Sequence, residues 1–263
     1  MHVVVTPSEP SPRTVWTVVA DERPRGRLEG RRYPGGLVVV DRLVVEAGAA
    51  PSDVVRALAD ALAQGLVARE AEVLVVEREE LAPLAVALPA AGLRVRRRKV
   101  FVERELSTVR PASEAAFTTR SLADVGEAAF LERLTLASEG DPFEAREGVP
   151  RDVEREWRDL VASAGPRLDP SRWWLADDAA GPVGVVLPQR VNATTGTLSY
   201  VGVLPARRGR GMGRALHAFG LGCLAAGGLV RYVGSTDVRN AAMRRVFAVN
   251  DCPVRGTESY WGR

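Results

Sequence analysis

The strongest constraint on this chain is an internal repeat. Sliding the sequence along itself by 158 positions lays Arg56-Ala57-Leu58 on Arg214-Ala215-Leu216, Leu66 on Leu224, Ala68 on Ala226 and Val75 on Val233. The identities are few, and alanine-rich helices match easily. The succession of elements carries more: strand, turn, helix, strand, helix, strand recurs in both halves without a gap. Two copies at so long a period mean a duplicated domain rather than a solenoid. At 263 residues the chain is long for one ordinary domain and short for two. We therefore expect a partial first unit over residues 1–108 and a complete second unit over 109–263.

Local patterns fill in both units. After an irregular start, β-branched runs at 15–20 and 36–45 flank a turn-rich stretch at 22–35. Pro51 and Ser52 open a helix, 72–77 reads as a strand, 81–91 as a helix capped by Gly92, and 93–106 as a basic strand. Residues 107–118 read as a polar linker. The second half begins with helices at 121–139, with Ser121 as N-cap, and at 150–164. A hairpin (173–176 and 182–187) follows, then strand 197–203, helix 213–227, strand 230–236, helix 240–249 and a last strand toward Trp261.

Composition narrows the functional classes. The longest apolar runs fall far below the ~20 residues of a membrane helix, and the start lacks a signal-peptide pattern. We expect a soluble, cytoplasmic protein that does not enter a membrane. Cys223 and Cys252 alone make neither a disulfide framework nor a metal site, so no metal is expected. Lys99 is the only lysine among 36 basic residues, and the net charge is +3. That total argues against nucleic acid as the partner. The basic run Arg94-Val95-Arg96-Arg97-Arg98-Lys99 alternates into Val100-Phe101-Val102, as a strand with one solvated face does.

The chemistry lies in the second copy, in Val203-Leu204-Pro205-Ala206-Arg207-Arg208-Gly209-Arg210-Gly211-Met212-Gly213-Arg214. This stretch follows a strand and opens a helix, so its amides lack intrahelical partners. Gly209, Gly211 and Gly213 let a ligand approach the backbone, and the helix dipole and neighbouring arginines favour an anion. A pyrophosphate fits such a site. A Walker A loop needs Lys-Ser or Lys-Thr after its last glycine, where Arg214 stands here; the Rossmann spacing fails at Arg214 and Leu216.

The stretch resembles the acetyl-CoA motif of the GNAT N-acetyltransferases, Arg/Gln-x-x-Gly-x-Gly/Ala after a strand ending Val-x-Pro. Val203, Pro205, Arg208, Gly211 and Gly213 match it, while Ser235-Thr236-Asp237 and Asn240-Ala241-Ala242-Met243 resemble the second CoA-binding region. The resemblance implies an α/β (α+β) fold: a central mixed, mostly antiparallel sheet with splayed central strands flanked by helices, preceded by a smaller partial copy. It implies acetyl-CoA as co-substrate and a small-molecule amine as acceptor, and it allows a homodimer. The loop Arg208, Gly209, Arg210, Gly211, Met212, Gly213 and Arg214 would hold the pyrophosphate. Val201 and Val203 would pair with the pantetheine arm, and Asn240 would bind its side.

The implied reaction is direct attack of a neutral amine on the thioester, with a base, an oxyanion amide near Val203 and an acid for the thiolate. Asp237 and Glu139 are the candidate bases. The family's usual acid is a tyrosine seven residues after the asparagine, and Phe247 stands there. That departure leaves a non-catalytic acyl-CoA-binding module as the alternative. His217 reads as structural, and Trp173, Trp174, Tyr260 and Trp261 as core or as lining of an acceptor pocket. In the first copy Ala50, Asp53 and Val55 replace Arg208, Gly211 and Gly213, a change hostile to pyrophosphate.

Overall fold

The computed structural model describes residues 1–7, 12–33, 36–66, 71–109, 117–141 and 152–263. Its chain divides into two compact units, Met1–Val100 with Gly256–Arg263, and Phe101–Arg255.

In the first unit, β1 (His2–Pro7), β2 (Arg13–Ala20), β3 (Arg23–Arg32) and β4 (Leu37–Val45) are antiparallel neighbours, and β5 (Glu72–Val76) joins β4 in parallel. Helices α1 (Pro51–Gly65) and α2 (Ala82–Ala87) pack on one face over Trp16, Leu28, Leu58, Leu62 and Val73. The other face of β3 carries charge instead, with Arg27 bonded to Glu29 at 2.9 Å and Arg31 to Asp41 at 2.6 Å. The turn-rich reading of 22–35 is corrected, because most of it is strand β3. Its glycines answer to packing: a Cβ on Gly26 would lie 2.5 Å from Val54 Cγ1, and one on Gly30 would lie 3.2 Å from the Trp16 ring. The start of the chain, expected to be irregular, forms β1.

In the second unit, β7 (Thr118–Ser121), β8 (Trp174–Asp178), β9 (Gly181–Arg190) and β10 (Thr195–Val203) are antiparallel neighbours, and β11 (Arg231–Asp237) is parallel to β10. Helices α3 (Leu122–Val125), α4 (Glu127–Ser138) and α5 (Val153–Ala164) cover one face, with Phe130, Trp157 and Trp173 packed together beneath them. Helices α6 (Met212–Ala226) and α7 (Ala241–Val249) cover the other, over Leu221, Tyr232 and Phe247. Ser121 caps α3 in a full capping box with Asp124. The single helix expected over 121–139 breaks at Gly126, whose φ is 78°. The helix expected from Pro150 is seen from Val153; Pro150 and Arg151, like 110–116 of the expected linker, lie outside the described residues.

The repeat holds at the level of strands. A 158-residue shift carries Arg23–Arg32 onto Gly181–Arg190, and Leu37–Val45 onto Thr195–Val203, the bounds of β9 and β10. It also carries β6 (Arg94–Glu105) onto the region of β12 (Val254–Gly262). These last strands are exchanged. The first unit's β5 is bordered by β12, antiparallel, with Trp261 opposite Val73; the second unit's β11 is bordered by β6. The division therefore falls within β6 and β12, between Val100 and Phe101 and again before Gly256, and not at the expected residue 108. The expected fold class, a mixed and mostly antiparallel sheet flanked by helices, is the one observed.

Trp261 is 7% exposed within the first unit's core. Trp261→Ala is expected to destabilise the protein by about 3–5 kcal/mol in urea unfolding. Val254→Ala, at a residue 52% exposed on the same strand, should change stability by less than about 1 kcal/mol.

Candidate functional site

Strands β10 and β11 start as partners and then part. Thr195 pairs with Arg231 and Gly196 with Tyr232, and pairing stops there. On its other side β10 shifts register against β9: Leu198 faces Pro188 and Val201 faces Val186, so Ser199 and Tyr200 oppose Leu187 alone. Such a two-against-one bulge bends and twists the strand that carries it. The first unit has a bulge at the matching place on β4, around Asp41, yet its β4 and β5 pair through four positions, nearly the whole of β5. Among the described residues, only the second unit has an open seam. Leu204 N–H donates to Val183 O on the β9 side at 3.0 Å. By alternation, Val201 and Val203 turn their backbone groups toward the seam.

The loop at the end of β10 leads into α6. Gly209 and Gly211 take φ of 76° and 80°, left-handed values that favour glycine, and a Cβ on either would meet open space. Gly211 is the N-cap of α6 and supplies no side-chain acceptor to its first amides. Gly213 differs, since a Cβ there would touch Val203 and Val246 at an ordinary 3.7 Å. The first unit has no such cradle. Pro51 opens α1 without an N–H to offer, and Val55, at the position matching Gly213, is buried.

Solved structures share this architecture. A GCN5-related N-acetyltransferase from Sphaerobacter thermophilus superposes with a TM-score of 0.64 at 22% identity, over 96% of this chain and 80% of that one. The fold is that of the GNAT acetyltransferases. A tandem GNAT protein from the clavulanic acid biosynthesis pathway gives 0.58 at 15% identity, over 97% and 83% of the two chains. A Kribbella flavida GCN5-related N-acetyltransferase gives 0.53 at 18%, over 94% and 88%. No family model and no curated protein matches the sequence.

Within this GNAT fold the loop arginines have different occupations. Arg207 is paired with Asp178, both sparsely exposed. Arg208 donates Nε to Val203 O at 3.0 Å, and Nη2 to Ala137 O at 3.1 Å and Glu139 O at 2.7 Å. Arg210 and Arg214 are exposed, and no acid partners them among the described residues. Met212 is the first residue of α6.

The two candidate bases stand apart. Glu139 is exposed at the end of α4, its carbonyl held by Arg208. Asp237 is 4% exposed and gripped by Arg239, which bonds its two oxygens at 2.9 and 3.0 Å and donates its backbone amide at 2.8 Å. That pairing pushes the Arg239 guanidinium up from its ordinary value. Asn240 caps α7 by accepting from Met243 N–H at 3.0 Å.

Three of the four aromatic candidates for an acceptor pocket are buried, and Trp174 is half-buried. Trp173 packs with Phe130 and Trp157, Trp174 stacks edge-on against Phe219, and Tyr260 and Trp261 belong to the first unit. Phe247 is buried beside His217, as a core side chain. Sequence reasoning missed Tyr200, which lies across Gly202 within reach of Ala137 O at 3.5 Å. The signal was a repeated Tyr-Val-Gly, because Tyr232 lies across Gly234 on β11 in the same way. A separate cleft of about 230 Å³ lies beside α4, lined by Arg120, Arg133, Leu136, Leu175 and Leu204. Burial acts to raise the pKa of Asp177 there, but hydrogen bonds from Arg133 and Arg120 outweigh it and hold the pKa below its ordinary value.

His217 is fully buried, with Nε2 3.2 Å from the Tyr232 hydroxyl and Nδ1 accepting from Asn250 Nδ2 at 3.0 Å. Burial, helped by Arg104, lowers its pKa from 6.5 to about 3. The unfolded chain therefore binds a proton that the folded chain refuses, and the stability this gives is complete above pH 6.5 and lost as pH falls toward 3. Between pH 7 and 4.5 this residue should account for about 2–3 kcal/mol of lost stability. His217→Gln should remove that share of the acid slope when urea midpoints are compared at the two pH values.

Proposed function

We propose that the second unit transfers an acetyl group from acetyl-CoA to the amine of a small-molecule acceptor. The observation that carries this reading is the open seam between β10 and β11, ending in the Gly209–Gly211 cradle at the start of α6. The residues present fit such a co-substrate: the loop has room above two left-handed glycines, and beyond Gly196 the strand edge is not paired with β11. Acetyl-CoA supplies the activated thioester carbonyl.

The chain's own residues do the rest. The amides from Gly209 to Arg214, with the helix dipole and the side chains of Arg210 and Arg214, hold the pyrophosphate. Val201 and Val203 bind the pantetheine arm as an added strand. The Val203 N–H lies on the seam side, where it can bond the carbonyl oxygen as negative charge gathers on it. Asn240, the N-cap of α7, would bind the side of the pantetheine arm. As the amine nitrogen bonds to the carbonyl carbon, the carbon–sulfur bond breaks; the ammonium proton leaves to solvent or a base, and the thiolate takes a proton. With Phe247 buried, the thiolate is left to solvent for that proton, which a thiol pKa of about 8.5 permits near neutral pH.

A second reading rests on a specific observation. Asp237 is held by Arg239 and position 247 has no hydroxyl, which favours a module that binds acyl-CoA without turning it over. Calorimetric titration with acetyl-CoA should give micromolar affinity, lost by at least tenfold in Gly211→Asp. Absence of wild-type binding, or equal binding by Gly211→Asp, would sink both readings. Binding without thiol release across a broad amine panel would select the second.

A further inference from the structure

We propose that Arg208, the residue at the head of the glycine loop, is a positioning residue that ties the carboxyl end of α4 to the end of β10. Its role at the site rests on the acetyltransferase reading above. Three of the five N–H donors of its guanidinium go to backbone carbonyls: Val203 O on β10, and Ala137 O and Glu139 O at the end of α4. These α4 carbonyls lack intrahelical partners, and a cation there also answers the negative end of the helix dipole. A planar fork meets three carbonyls at once; an ammonium on a flexible stem does not.

Two consequences follow for the seam. One lone pair of the Val203 carbonyl is already taken by Arg208, so an extended ligand lying along β10 meets the Val201 groups and the Val203 N–H beside a partly occupied acceptor. This biases the register of the ligand against the strand. The tie also borders the seam on the α4 side, where Tyr200 and Arg208 both reach Ala137 O. Across the sheet, Leu216, His217, Leu221, Tyr232 and Phe247 fill the α6–α7 face.

The test compares Arg208→Ala and Arg208→Lys with Arg210→Ala/Arg214→Ala in the full chain. It reads CoA affinity by calorimetry, and hydrogen exchange of the peptide spanning Phe130 to Asp141. Both Arg208 variants should speed exchange at the end of α4 by at least tenfold while CoA affinity stays within about threefold, and lysine should not rescue. The Arg210/Arg214 variant should weaken CoA at least tenfold and leave that exchange unchanged. A tenfold loss of CoA affinity in Arg208→Ala that lysine restores would make Arg208 a phosphate ligand and overturn the proposal; unchanged exchange would overturn it as well. Should the wild type bind no CoA, the acetyltransferase reading fails, and the exchange measurement alone decides the tie.

Discussion

The pairing of β10 with β11 ends after two residues, and the site depends on that interruption. A parallel pair that continued would consume the very backbone groups a strand-like ligand needs. The bulge at Ser199 and Tyr200 turns β10 away, but the first unit shows that a bulge is not sufficient. There β5 is only five residues long and is paired almost to its end. In the second unit β11 runs for seven residues, five of them beyond the last pair. Strand length and bulge together open the seam.

What keeps the seam's borders in place is mostly arginine bonded to backbone or to acid. Arg207 fastens the loop to the β8–β9 hairpin through Asp178, Arg208 fastens it to α4, and Arg239 holds Asp237 at the tip of β11. Elsewhere Arg172 and Arg190 reach Cys223 O and Gly227 O at the carboxyl end of α6. A chain with one lysine thus uses its arginines as fasteners for helix ends and loops. Of the four arginines the sequence places among the glycines, two, Arg210 and Arg214, are left for a phosphate.

Much of this was legible in the residues. The repeat predicted the matching elements, and the structure extends the match upstream to β3, where apolar alternation is weak. The glycine loop was legible because positive φ and open space demand glycine at 209 and 211. Other features were not. Strand β3 was hidden because Gly26 and Gly30, which look like turn residues, are glycine to admit Val54 and Trp16. The exchange of β6 and β12 was hidden because strand neighbours far apart in sequence leave no local pattern. The destination of the Arg208 side chain was hidden too, since its acceptors are carbonyls that every residue possesses.

The exchange bears on how the chain is made. Glu77 and Ser259, bonded side chain to side chain beside β5, stand 182 positions apart. At a synthesis rate of about 5–20 residues per second, roughly 10–40 s separate the emergence of β5 from that of its neighbour. During that interval β5 is an edge strand with unpaired amides, the kind that invites pairing with another chain. Its brevity limits the hazard, and so does Glu72, buried in the finished protein against Arg97 at 2.8 Å, which puts a charge on the waiting edge. The first copy thus forms early in order of synthesis and late in completion, and a nascent chain of this design calls for shielding until its final strand arrives.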